Sequence, residues 1–185
     1  MTRDDVDLVR YATGRLLDRL DGLSDDEYLW EPVAGCWTVR QADGGGWRGD
    51  LSRSGTTATT RSPAPFTTIA WRLWHLGASP EPTWPAGQAT GAEYVAAWFG
   101  QIPPTASPAV GTAAEAVDLL AGTWARVADT FAGLDPGELT GPMGPAAGPF
   151  AESSLLGLIL HVADELIHHG AEVGVLRDLY AHRAG

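Results

Sequence analysis

An all-α fold, most simply a four-helix bundle with long irregular connections, is what this sequence predicts. Three observations carry that expectation. Long stretches repeat apolar residues at steps of three and four, as a helix that buries one face must. No run of four or more alternating residues competes with them as a strand. With 185 residues, 44% of them hydrophobic, the chain suffices for one buried core, so 1–185 reads as a single domain.

The first helix runs from about Asp4 to Leu20, with Val6, Val9, Thr13, Leu16 and Leu20 on one stripe and Gly22 just past its end. Ser24 and Glu27 then form a capping box, but Pro32 limits that segment to a short helix. Residues 41–65 are rich in Gly, Ser and Thr with almost nothing to bury, and read as a long loop. "TTIAWRLWHLGAS" is the second long helix, apolar on nearly all sides. "GAEYVAAWFG" suggests a short extra helix. The third long helix starts at Thr112, capped with Glu115, and carries Ala113, Val117, Leu120, Trp124, Val127 and Phe131 to Gly133. The fourth spans about Ser153 to His182. The loop 41–65 and the breaks at Pro80 to Pro85 and Pro142 to Pro149 are expected to shape a pocket mouth.

Composition excludes several function classes. A net charge of −11 argues against nucleic-acid binding, which needs clustered Lys and Arg, and against an anionic membrane surface. No run of about 18 apolar residues is present, so no membrane helix is expected. The N-terminus, "MTRDDVDLVR", does not read as a signal peptide, and a single cysteine excludes an internal disulfide; both fit the cytoplasm. Cys36, in "GCWTV", reads as a small buried filler.

The fourth helix poses the chemical question. Its three-and-four ladder is Leu155, Leu158, Val162, Glu165, His169, Glu172, Leu176 and Leu179, so two acids and a histidine fall on the seam. An unpaired buried carboxylate costs several kcal/mol or takes up a proton, so something must compensate these residues. Glu165 and His169, four apart, stack on one face, the spacing helices use to give two ligands to one ion. Taken alone, the pair reads first as a salt bridge or a hydrogen-bonded core histidine. His75, isolated in "AWRLWHLG", is a second odd placement, also more often a core residue than a ligand. The two are best explained together, as a site of His75, Glu165 and His169 with positions left open, the ligand count of catalytic zinc.

The chain resembles the DinB/YfiT-like superfamily of metal-binding four-helix bundles through "YLWEPVAGCWTVR", "TTIAWRLWHLG" and "HVADELIHHGAEVGVLRDLY". Many of its members hold a divalent ion with three histidines. Here the earlier fourth-helix position is Glu165, and a His–Glu–His set is similar to that of the mycothiol-dependent maleylpyruvate isomerase branch, where zinc is held that way. The resemblance implies a metal site of His75, Glu165 and His169. That branch's isomerase carries a further C-terminal region for which 185 residues leave no room, so isomerase activity itself is not expected.

The implied function is a metal-dependent transferase joining a low-molecular-weight thiol such as mycothiol to a small electrophilic substrate. Zn2+ is the expected ion, with Ni2+, Mn2+ or Fe2+ also compatible with these donors. His161, Glu172 and His168 would orient ligands or relay protons, against a competing reading as solvated helix-edge residues, which leads for His168. Arg177 is a candidate for an anionic substrate group, although near a helix end it more often offsets the dipole and pairs with acids. Two other classes stay open: a non-catalytic metal-binding stress-associated protein, and a metal-activated hydrolase using bound water. Many relatives pair through bundle faces, so a homodimer is compatible.

Overall fold

The computed structural model describes residues 4–51, 63–77 and 109–183. Helix α1 is Asp4–Leu20, α2 the single turn Asp25–Tyr28, α3 Ile69–Gly77, α4 Ala113–Ala132 and α5 Leu155–His182. Helix α1 packs against α4 and α5, and α3 packs against the same two, so the long helices close a bundle in which α3 and α5 are neighbours. The extra helix expected at 91–100 and the break at Pro80 to Pro85 lie outside the described residues.

Local chemistry sets most helix ends. Ser24, Thr112 and Ser154 each accept a backbone N–H from the residue three further on, satisfying a donor that the first turn cannot pair internally. The Thr112 hydroxyl also donates to the Glu115 carboxylate at 2.7 Å, a side-chain bond in place of the reciprocal backbone one of a capping box. Val6, Val9, Leu16 and Leu20 are buried, and Thr13 bonds back to the Val9 carbonyl. These residues join Leu120, Trp124, Phe131, Leu158, Leu166 and Val173 in one core.

The segment expected as a long loop, 41–65, begins in a hairpin, and its residues 52–62 lie outside the described residues. Strands β1 (Val39–Gln41) and β2 (Trp47–Gly49) pair antiparallel, with Val39 opposite Gly49. Gly45 and Gly46 turn the chain at positive φ, which explains two of the three consecutive glycines. Three-residue strands are too short to show alternation, and their anchor is a residue with no side chain: a methyl group at Gly49 would overlap the Trp74 ring. The hairpin fixes the start of α3. Asp50 accepts the Trp71 indole N–H on its carbonyl at 2.8 Å, and Thr68 bonds the Thr38 hydroxyl while capping the Trp71 amide. At the other end, bare Gly77 lets the Leu120 backbone approach, and Thr123 donates to the Gly77 carbonyl.

Helix α5 corrects the inward ladder. Leu155, Leu158, Val162, His169 and Leu176 are buried as expected, but Leu166 and Val173, not Glu165 and Glu172, continue the seam, and Leu179 is exposed. On a 3.6-residue helix the two glutamates fall about 60° and 80° from the seam's centre. They lie on its α3 edge rather than in it, because apolar residues one position on take the central place.

Arg177 pairs with an acid, the role that its place near a helix end favours over substrate binding. Its guanidinium grips buried Glu27 through two bonds of 2.9 and 3.1 Å and donates to the carbonyls of Arg19 and Asp21 that end α1. It closes a helix end and is not free to meet a substrate. Arg177→Ala strands the Glu27 carboxylate without its partner, and should lower the unfolding free energy in urea by about 3 kcal/mol while leaving divalent-ion affinity unchanged.

Candidate metal centre

The centre forms where α3 and α5 meet. His75 occupies the last turn of α3, and the ring of Trp71, one turn earlier, stacks on it at 5.0 Å and 15°. Since Trp71 is itself tied to Asp50, the hairpin indirectly sets the angle of the His75 imidazole. From α5, His169 enters almost fully buried, its ring edge-on to His75 at 4.9 Å.

Glu165 joins them. Its Oε2 lies 3.4 Å from His75 Nε2 and 3.1 Å from His169 Nε2. One ligand atom from each of the three residues falls within 4.8 Å of the others. Two donors about 2.1 Å from one tetrahedral ion are themselves about 3.4 Å apart, so the measured separations fit an ion as well as hydrogen bonds. Two nitrogens and one oxygen are a donor set that borderline divalent ions accept. The Glu165 side chain is 38% exposed, which leaves one side of the group open to a small molecule.

The remaining sequence candidates lie on the same edge of α5. His161 is half exposed, with Nε2 3.9 Å from Glu165 Oε1. His168 is 62% exposed and sits 3.5 Å from Glu172. Glu172 reaches His169 Nδ1 at 2.6 Å, on the side of the ring away from Glu165. A ligating histidine commonly gives its second ring N–H to a carboxylate in this way, which fixes the tautomer and strengthens the donor nitrogen. His168, His169 and Glu172 also cluster closely enough for a metal, but there a cation is already present.

That cation is Arg72, which the sequence reading passed over. Its Nη2 donates to Glu172 Oε1 at 3.1 Å, and its Nη1 lies 3.0 Å from His169 Nδ1. Burial pulls the guanidinium below its ordinary pKa, opposed by the charges of Glu172 and Glu165. The signal was available: Arg72 is a lone charge in an otherwise apolar helix, the same oddity that drew attention to His75. Cys36 takes no part. It is buried with Sγ against the Val33 carbonyl, and burial pushes its thiol up, away from the reactive thiolate.

A family model for the DinB superfamily matches residues 51–173. The chain belongs to the DinB superfamily. The matched span holds every residue of the centre, from Arg72 and His75 to Glu165, His169 and Glu172. No curated protein and no solved structure gives a significant match. Among the described residues, no helix of this DinB-superfamily chain is long and apolar enough to cross a membrane.

Glu165 is held well below the usual carboxylate range, first by the bond it accepts from His169 and then by that from His75, against its partial burial. A depressed folded-state value means that the ionised group contributes stability above the unfolded-state range, near pH 4.3. That contribution is lost as pH falls through the folded value. Carbon-13 NMR titration of metal-free protein should therefore find Glu165 still ionised below about pH 4.3, and His169→Leu should return its midpoint toward the ordinary value.

Proposed function

We propose that this DinB-superfamily protein holds one divalent ion, Zn2+ first, on His75, Glu165 and His169, and uses it to join a low-molecular-weight thiol to a small electrophile. The observation that carries the metal is the shared carboxylate oxygen between two imidazole nitrogens from different helices. Support for the thiol is the likeness of this His–Glu–His set to the mycothiol-dependent branch.

When bound, a divalent ion balanced by one carboxylate would keep net positive charge and would lower the pKa of a thiol brought to it. The chain's own residues do the rest. Buried His169 and the Trp71 ring keep water from the rear of the site. The partly exposed flank at Glu165 admits the thiol and its partner. We assign His161, half exposed beside Glu165, to carry the thiol proton to solvent. With an aryl halide as probe, a sulfur–carbon bond forms, halide leaves, and that proton is released.

Elemental analysis should find about one divalent ion per chain after Zn2+ loading, and Glu165→Gln should weaken its retention. At about 100 times Kd the ion should stabilise the fold by about 2.7 kcal/mol, an increment that chelation removes. The loaded protein should consume a chromogenic aryl halide only when mycothiol or another small thiol is added. Stabilisation without turnover would identify a metal-binding stress-type protein, and ester cleavage without thiol would identify a hydrolase. Failure to retain any divalent ion would contradict the metal reading itself.

A further inference from the structure

Arg72 is a mostly buried charge that the proposed chemistry does not consume, its side chain only 17% exposed. It sits three residues before His75 on α3, with its guanidinium 5.1 Å from the centre of the Trp71 ring. Two of its nitrogens address Glu172: Nη2 donates to Oε1 at 3.1 Å, while Nε lies 3.0 Å from Oε2. The second approach is off the N–H axis, since Nε makes no hydrogen bond, so charge rather than a second straight bond acts there. The third nitrogen, Nη1, stands 3.0 Å from His169 Nδ1.

His169 Nδ1 thus faces a carboxylate at 2.6 Å and a guanidinium at 3.0 Å, and it can satisfy only one of them. A protonated Nδ1 donates to Glu172, whereas a bare Nδ1 accepts from Arg72. Guanidinium offers donors only and an ionised carboxylate acceptors only, and across the ring Glu165 Oε2 lies 3.1 Å from Nε2, so in a neutral ring Glu172 and Glu165 compete for one proton. The contact to Glu172 is the shortest of the three, 2.6 Å against 3.1 Å to Glu165, and bonds between an N–H and a carboxylate are the stronger class. Arg72 meanwhile holds the Glu172 carboxylate turned toward the ring.

We propose that Arg72 is a positioning residue: acting through Glu172, it holds the His169 proton on Nδ1 and leaves the Nε2 lone pair aimed at the space between Glu165 and His75. The purpose of this arrangement rests on the metal reading; the tautomer itself does not. Helix α3 then supplies one ligand directly, His75, and orients another through Arg72. The ligand from α5 is presented in its binding form only when α3 is docked.

The test is nitrogen-15 histidine NMR of the metal-free full chain, above the imidazole titration range, with Zn2+ affinity measured by competition with a chromogenic chelator. Wild type should show His169 protonated on Nδ1. Arg72→Gln should mix or invert the tautomers and weaken Zn2+ binding by about 10- to 100-fold, as should Glu172→Gln. The double variant should bind no more weakly than the worse single one, because both act along one line. Arg72→Lys should restore part of the Nδ1–H population; should Arg72→Gln not fold, that variant and the wild-type spectrum decide. A wild-type Nε2–H form, an unchanged tautomer in Arg72→Gln, or losses that add would overturn the proposal. A wild type that binds no Zn2+ would overturn the metal reading instead, and the spectra would still decide the role of Arg72.

Discussion

Oε2 of Glu165 lies between two imidazole nitrogens, one from α3 and one from α5, and the register of those two helices is what brings them together. A cluster of this kind holds in a half-buried site only while something positive, a proton or a metal ion, lies among the three groups. A core of leucines would be indifferent to a small slide of one helix along the other. This junction is not. A shift of one residue, about 1.5 Å of rise and 100° of rotation, would replace Glu165 with Asp164 or Leu166 and empty the site.

The rest of the fold restrains that slide. The hairpin of β1 and β2 and the residues flanking it grip the start of α3 through Asp50 and Thr38, and its second turn through the bare backbone at Gly49. Gly77 and Leu120 fix its last turn against α4. On the other side, Gly170 lets Leu16 of α1 rest on α5, and Arg19 bonds the Gly174 carbonyl and pairs with Asp178. Arg177 and Glu27 then lock the far end of α5 to α2 and to the end of α1. Arg72 belongs to the same scheme at closer range, since it joins α3 to α5 within the polar edge itself.

The helices were legible because apolar spacing and capping chemistry are local: Thr112 with Glu115 and the Val6-to-Leu20 stripe need no tertiary information. The partnership of His75, Glu165 and His169 was legible as a likeness and as paired anomalies, two polar intrusions on apolar helices. What a wheel could not resolve was the difference between the seam and its edge. Ladders through Glu165 or through Leu166 both satisfy steps of three and four, and only packing within the bundle separates them. The hairpin escaped notice because its strands are three residues long and its main contact is a missing side chain. Arg72 stands out locally as a lone charge in an apolar helix, but its partners lie about a hundred positions away in sequence, so no local pattern names them.

The central claim is that one cation belongs between these two helices. Crystals of the protein grown with Zn2+ and measured on both sides of the zinc absorption edge would test it most directly. The account predicts a single anomalous peak about 2.0–2.2 Å from His75 Nε2, a Glu165 carboxylate oxygen and His169 Nε2. At saturating Zn2+, no peak at that position, or one on surface residues alone, would contradict it.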